Sequence, residues 1–160
     1  MNRVRLAANP RWALPALGRA GSDADGKRWV VGLGLQQESA KLLFRQALPE
    51  RGHHVALSQR HGFYVALARR PGTGLVLGAL DSGDLLAELR VSADRHLFGH
   101  GVFSADENHF YTTESNFNDM QGDSGLLVEW KVVYRDGRPG PERGREFSTG
   151  GVGPHELLLM

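Results

Sequence analysis

Three stretches of this chain open alike. Aligning His53 with His100 brings Val55 onto Val102 and the pair Phe63-Tyr64 onto Phe110-Tyr111 without a gap, because each aromatic pair follows its histidine by 10 and 11 residues. Further on, Gly74-Leu75-Val76 matches Gly125-Leu126-Leu127 after a four-residue insertion, and Asp81-Ser82-Gly83 corresponds to the Asp136-Gly137 turn. A third copy opens at Gly153-Pro154-His155-Glu156-Leu157. The first two histidines lie 47 residues apart and the last two 55, with the extra length assigned to a loop at 138–144. A repeat of this size constrains folding more than any other feature, because each unit must bury its apolar faces against its neighbours.

Inside each period the chain reads as short strands divided by turn residues. The segments are Arg28–Leu35, Lys41–Leu48, His53–Ser58, Phe63–Arg69, Leu75–Leu80, Leu85–Val91, Val102–Ala105, His109–Glu114, Gly125–Val133, Arg145–Ser148 and Glu156–Met160. Pro71-Gly72, Asp81-Ser82-Gly83, Asp136-Gly137 and Gly150-Gly151 supply the breaks, being residues that accept tight-turn dihedrals. Only Gln36–Gln46 competes as a helix. Four short strands in roughly 45–50 residues is the size of one β-propeller blade. We therefore expect an all-β fold of β-propeller-like blades of four antiparallel strands, with His53–Ser58 and Val102–Ala105 innermost and the aromatic strands second.

About three blades are accounted for, a part of a parent expected to have seven, since closing a ring takes at least ~4. Residues 1–26 read as a leader or disordered segment, and residues 27–160 as a partial propeller that stops inside the apolar strand Leu157-Leu158-Leu159-Met160. Open blade edges would then invite a protein partner or self-association.

Several function classes are disfavoured by composition. Nineteen basic against eighteen acidic residues leave a net charge of +1, which gives no field for nucleic acid. The longest apolar runs fall far short of the ~18 residues of a membrane span. There is no cysteine, which removes disulfides, thiol nucleophiles and Cys-ligated metals. Arg3, Arg5 and Arg11 precede no unbroken apolar core, because Pro10 and Pro15 interrupt it, and no export signal is recognisable. Gly32 and Gly34 lack the third glycine and the helix of a dinucleotide fingerprint, so phosphate cradling is rejected. Ser58, Ser104 and Ser124 lack the nucleophile-elbow context, and Gly122-Asp123-Ser124-Gly125 matches a serine-protease string without its context. The recurring aromatics Phe63, Tyr64, Phe110 and Tyr111, with Trp29 and Trp130, are assigned to packing between blades.

The candidate site follows from the repeat. His53, His100 and His155 hold one position in successive units, so in a propeller they converge around the channel, where imidazole ligates metals or moves protons. Equally, each could anchor its blade to a backbone carbonyl, repeated because the blades are. His54, His61, His96 and His109 are assigned to the surface. Glu114 and Glu156 are the carboxylates best placed to join the histidines. A set of His53, His100, Glu114 and His155 could hold a divalent metal such as iron, whereas an interblade salt bridge from these carboxylates to Arg69 or Arg70 is the structural alternative. Arg69 and its counterpart Asn116, with Glu156, put polar groups on one rim that would suit an anionic ligand or solvent.

The strings FGHGVFSADENHFYTTES (Phe98–Ser115) and EFSTGGVGPHELLLM (Glu146–Met160), preceded by ERGHHVALSQ and ARRPGTG, resemble a bacterial family of uncharacterised proteins, domain-of-unknown-function family 1513. The resemblance runs from about Trp29 to the end of the chain. It implies a propeller-like fold about twice this length, twin-arginine export to the periplasm and a link to iron-uptake neighbours. The function expected is a binding or accessory module, with a lactonase-like hydrolase or metal-dependent oxidoreductase as the alternative.

Overall fold

The structure, a computed structural model, describes residues 14–22, 26–36, 39–116, 118–119 and 122–160. Eleven strands run in chain order among the described residues: β1 (Leu14–Ser22), β2 (Arg28–Gln36), β3 (Ser39–Leu48), β4 (Gly52–Ser58), β5 (Phe63–Ala68), β6 (Gly74–Ala79), β7 (Leu85–Arg90), β8 (His96–Phe103), β9 (His109–Ser115), β10 (Leu126–Arg135) and β11 (Arg138–Ser148). Every paired neighbour is antiparallel, and three sheets result, ordered β1-β2-β3, β4-β5-β6-β7 and β8-β9-β10-β11. The two four-stranded meanders are the blades expected from the repeat. Among the described residues no helix is long and apolar enough to cross a membrane.

Alternation along β5 explains how the blades stack. Successive strand side chains point to opposite faces. Phe63, Val65 and Leu67 accordingly meet Leu97, Phe103, Phe110, Val128 and Trp130 of the next blade, while Tyr64 and Ala66 meet Val30, Phe44, Leu48 and Leu57 on the other side. All six β5 residues are buried, as are five of the six in β6. A strand covered on both faces is apolar throughout instead of alternating with polar residues, which matches FYVALA. Phe63 and Phe110 thus serve packing as expected, with Phe103 between them at centroid distances of 5.6 and 4.8 Å. At Gly78 a Cβ would come within 2.2 Å of the Tyr64 hydroxyl, so this glycine makes room for the ring that fills the first interface.

The blades are not parallel plates. Their first strands, β4 and β8, pack side by side, whereas β7 and β11 at the outer edge barely touch. Four segments differ from expectation. Gln36–Gln46 is not helical: most of it lies in β3, where pairing with β2 and the stacking of Phe44 on Tyr64 at 5.8 Å override helix propensity. Residues 138–144 are not a loop but the start of β11, an outermost strand that tolerates Pro139 and Pro141 because its free side needs no N–H donor. Glu156–Met160 is not a strand. Within the segment read as a leader, Leu14–Ser22 forms β1 against β2, since Pro15 falls on an edge strand; residues 1–13 and 23–25 lie outside the described residues.

One buried ion pair ties the last blade together. Glu114 on β9 is fully buried and accepts two hydrogen bonds from Arg143 of β11, at 2.6 and 2.9 Å. That guanidinium also bonds Glu146 and lies over the Trp130 ring. Arg143→Ala leaves a carboxylate buried without its counter-charge and is expected to cost about 3–5 kcal/mol in denaturant unfolding. Arg135→Ala, which removes one partner of the exposed Arg135–Glu142 pair, should cost under about 1 kcal/mol. Equal costs for the two variants would refute this assignment.

Candidate functional site

Local irregularities in the first strands aim two of the three repeat histidines. Gly52 pairs with Ala68 and His54 with Leu67, so His53 is an extra residue with no partner position in β5. In the next blade the register passes from Leu97–Glu114 to Gly101–Thr112, leaving Phe98, Gly99 and His100 opposite Thr113 alone. Such bulges bend a strand and redirect the side chains they carry. His155 arrives by another route. Its carbonyl accepts the N–H of His100 at 3.0 Å, and the approach depends on Gly99, where a Cβ would lie 2.0 Å from that oxygen. Upstream, Gly125 N–H bonds Gly151 O and Thr149 N–H bonds Gly125 O, fixing the returning chain against the start of β10.

The three imidazoles form a near-equilateral triangle. Centroids lie 5.2 Å apart for His53 and His100, 5.4 Å for His53 and His155, and 5.0 Å for His100 and His155. One nitrogen of each falls within 4.8 Å of the others; His53 and His100 are half-buried and His155 is exposed. A tetrahedral metal with bonds of ~2.0–2.1 Å holds its nitrogens about 3.3 Å apart, a contraction within reach of side-chain rotation. Glu156 Oε1 stands 3.2 Å from His100 Nδ1, which favours the proton on Nδ1 and leaves Nε2 as the lone-pair donor.

Sequence reasoning placed His54 at the surface, and the structure corrects this. Its ring stacks on His100 at 4.6 Å and 2°, and its Nδ1 accepts the Gly101 N–H at 3.3 Å. Burial, followed by the charges of His100 and His53, pushes the His54 imidazole down to about 4, against the pull of Glu156. The doublet His53-His54 carried no visible signal, because without the bulge adjacent strand residues face opposite ways. His96 is also buried, and His61 is half-buried with its Nδ1 on the Tyr134 hydroxyl at 2.8 Å.

Of the remaining candidates, Glu156 joins the histidines and three others do not. Glu114 is held by Arg143 within its own blade, so neither the metal set that included it nor the bridge to Arg69 or Arg70 forms. Arg69 is exposed at the end of β5 with its backbone N–H on Arg51 O. Asn116 Oδ1 accepts the Asn118 N–H at 2.9 Å and closes a turn after β9. Neither side chain is bonded to the histidine cluster.

Comparison with known proteins fits this geometry into a wider group. The family described as protein of unknown function (DUF1513) matches residues 46–160, which include all three histidines and both four-stranded blades. The chain belongs to this family. No curated protein shows a significant sequence match. Among solved structures, a 6-phosphogluconolactonase-like protein from Bacteroides uniformis superposes with a TM-score of 0.63 at 11% identity, covering 91% of this chain and 45% of that one. At that identity the likeness establishes the β-propeller-like fold, and this DUF1513 chain spans less than half the length of the solved structure.

Two measurements test the geometry. His54, His61 and His96 all have imidazoles lowered by burial, so the unfolded chain binds protons more readily than the folded one. Stability should therefore rise with pH from about 4, the folded value at His54, to the unfolded value of 6.5. Denaturant unfolding at pH 5 and pH 7.5 checks this, and a flat profile would contradict the burial of these rings. Gly99→Ala should also displace the His155 backbone, seen as loss of the His155 ring-proton shifts characteristic of the cluster while the shifts of β5 and β6 persist.

Proposed function

We propose that the His53–His100–His155 cluster binds a divalent late transition metal at the inner edge of the blades, and that the chain is the metal-binding part of a propeller module. The observation that carries this reading is the convergence of three ligand nitrogens from three equivalent repeat positions within 4.8 Å. A structural anchor needs each imidazole to bond a neighbouring carbonyl; it does not need three of them to share one point. Three neutral imidazoles with no carboxylate among them suit Zn²⁺, Cu²⁺ or Ni²⁺, and iron sites of the two-histidine, one-carboxylate kind would need Glu156 in the ligand set instead of behind His100. His53, His100 and His155 would hold the ion, and Glu156 would orient His100.

A second reading is an enzyme in the sense of the lactonase-like neighbour. Three protein ligands would leave a fourth position for water or substrate, with Glu156 holding His100 from the Nδ1 side. When bound, a metal of this kind supplies Lewis acidity. The bound-metal reading does not depend on this one.

Titration of the chain with Zn²⁺ and Ni²⁺, followed by calorimetry and by metal content after dialysis, tests the proposal. One equivalent should bind. His100→Ala should weaken binding at least about 100-fold, and Glu156→Gln about tenfold, in line with the usual effect of outer carboxylates on metal-bound histidine. Unchanged metal content in His100→Ala sinks the metal reading, and hydrolysis of a simple lactone by the metal-free chain would sink the metal-dependent enzyme.

A further inference from the structure

A second site lies at the opposite edge of the blades. Where β7 and β11 diverge, a cleft of about 490 Å³ opens between blades. Its walls include Leu77, Leu86 and Leu89 from one blade and Trp130 and Val133 from the next. The volume falls within the range of roughly 300–1,000 Å³ typical of small-molecule sites, and an apolar lining with few polar groups is their usual make-up.

The repeat itself explains why the cleft exists. Strands β6 and β7 have six residues each, while their counterparts β10 and β11 have 10 and 11. The β10–β11 hairpin, 126–148, is thus six residues longer than β6–β7, 74–90, and carries part of the excess of the second spacing, 55, over the first, 47. The lengthened hairpin turns at Asp136-Gly137, both with positive φ, and reaches back over the preceding blade, where Tyr134 meets His61 and Gly140 faces Leu77. Blade packing alone needs no such arm. Its outer end makes a roof, with Pro139 and Pro141 stiffening the side that faces the cavity.

Four arginines line the cleft, and three are engaged. Arg90 pairs with Glu50, Arg135 with Glu142, and Arg143 with Glu114 and Glu146. Arg138, the first residue after the turn, lines the cleft and makes no ion pair among the described residues. We propose that this cleft binds a small amphipathic anion, an apolar body with a single carboxylate head, with the body on Leu86, Leu89 and Trp130 and the head on Arg138. Charge complementarity selects the head, since the other cations in the lining are already neutralised. The apolar walls select the body.

The test uses decanoate and its neutral counterpart 1-decanol, both kept below their aggregation concentrations, titrated into the chain by calorimetry. Decanoate should bind at one site per chain, and 1-decanol at least about tenfold more weakly. Arg138→Glu, at an exposed strand position where folding is not at stake, should weaken decanoate about tenfold or more and leave 1-decanol unchanged. Ala87→Phe, which fills the floor of the cleft, should remove both, and His100→Ala should remove neither. The proposal is overturned by absence of saturable binding, by equal affinity for the acid and the alcohol, or by parent-like binding in both Arg138→Glu and Ala87→Phe.

Discussion

Burial of β5 on both faces is the constraint from which the rest of the arrangement follows. A sheet with one wet face alternates apolar and polar residues, and a single partner layer satisfies it. Phe63–Ala68 has no polar face to offer water, so it is stable only with a sheet on each side. Fully burying a Phe, Leu or Val side chain contributes roughly 1.5–3 kcal/mol. Three such residues face one neighbour, and the Tyr64 ring faces the other. Face-to-face packing of twisted sheets about a shared second strand brings first strands together and lets fourth strands fan apart. The histidine triangle occupies the close end of that wedge and the arginine-rimmed cleft its open end. One packing rule thus produces both.

Converging the inner edge has a cost in backbone order. In each blade the first strand leaves its ladder where it carries a repeat histidine: one residue is unmatched at His53, and three stand opposite one at Phe98–His100. Those interruptions forgo ladder hydrogen bonds that a regular strand would make. The returning segment recovers part of the loss, since the His100 N–H finds the His155 carbonyl. What gathers there is electrostatically lopsided. Four imidazoles, those of His53, His54, His100 and His155, gather around one nearby carboxylate, Glu156, which pairs with His100, and burial together with the charges of His100 and His53 holds the His54 imidazole low.

How far the sequence disclosed this architecture depended on what kind of information each feature needed. The repeat put three histidines at corresponding sequence positions, so their grouping was legible, while the bulges and the separate route of His155 that complete the triangle were not. His54 was not, because its orientation depends on a bulge one residue away, and a bulge leaves no mark in residue type. Glu114 was paired with the wrong arginine for a related reason. Reasoning by repeat looked for a partner in the neighbouring blade, whereas Arg143 lies two strands away in the same sheet. The helix-like run at 36–46 misled because Lys41, Leu42, Leu43 and Arg45 favour helices in isolation, while sheet pairing and Phe44 stacking decide the matter in the fold.

Departures from the repeat carry as much information as the repeat does. Equivalence explains what all blades share, such as the buried second strand and the histidine at the first. It cannot explain why one unit is eight residues longer than its predecessor, nor why its outermost strand opens as Arg-Pro-Gly-Pro-Glu-Arg-Gly. Two prolines in seven residues would be poor material for a central strand. On an outermost strand they serve as a stiff wall, and their rigidity keeps the hairpin from closing onto the leucines of the blade it overhangs. Had the surplus residues served stability alone, the shortest route would have been a tighter hairpin packed flush on Leu86 and Leu89. A standing gap of about 490 Å³ between apolar surfaces is instead an arrangement that stability by itself does not favour, and Arg138 in its lining, without an ion pair among the described residues, is where an anionic ligand would make up the difference.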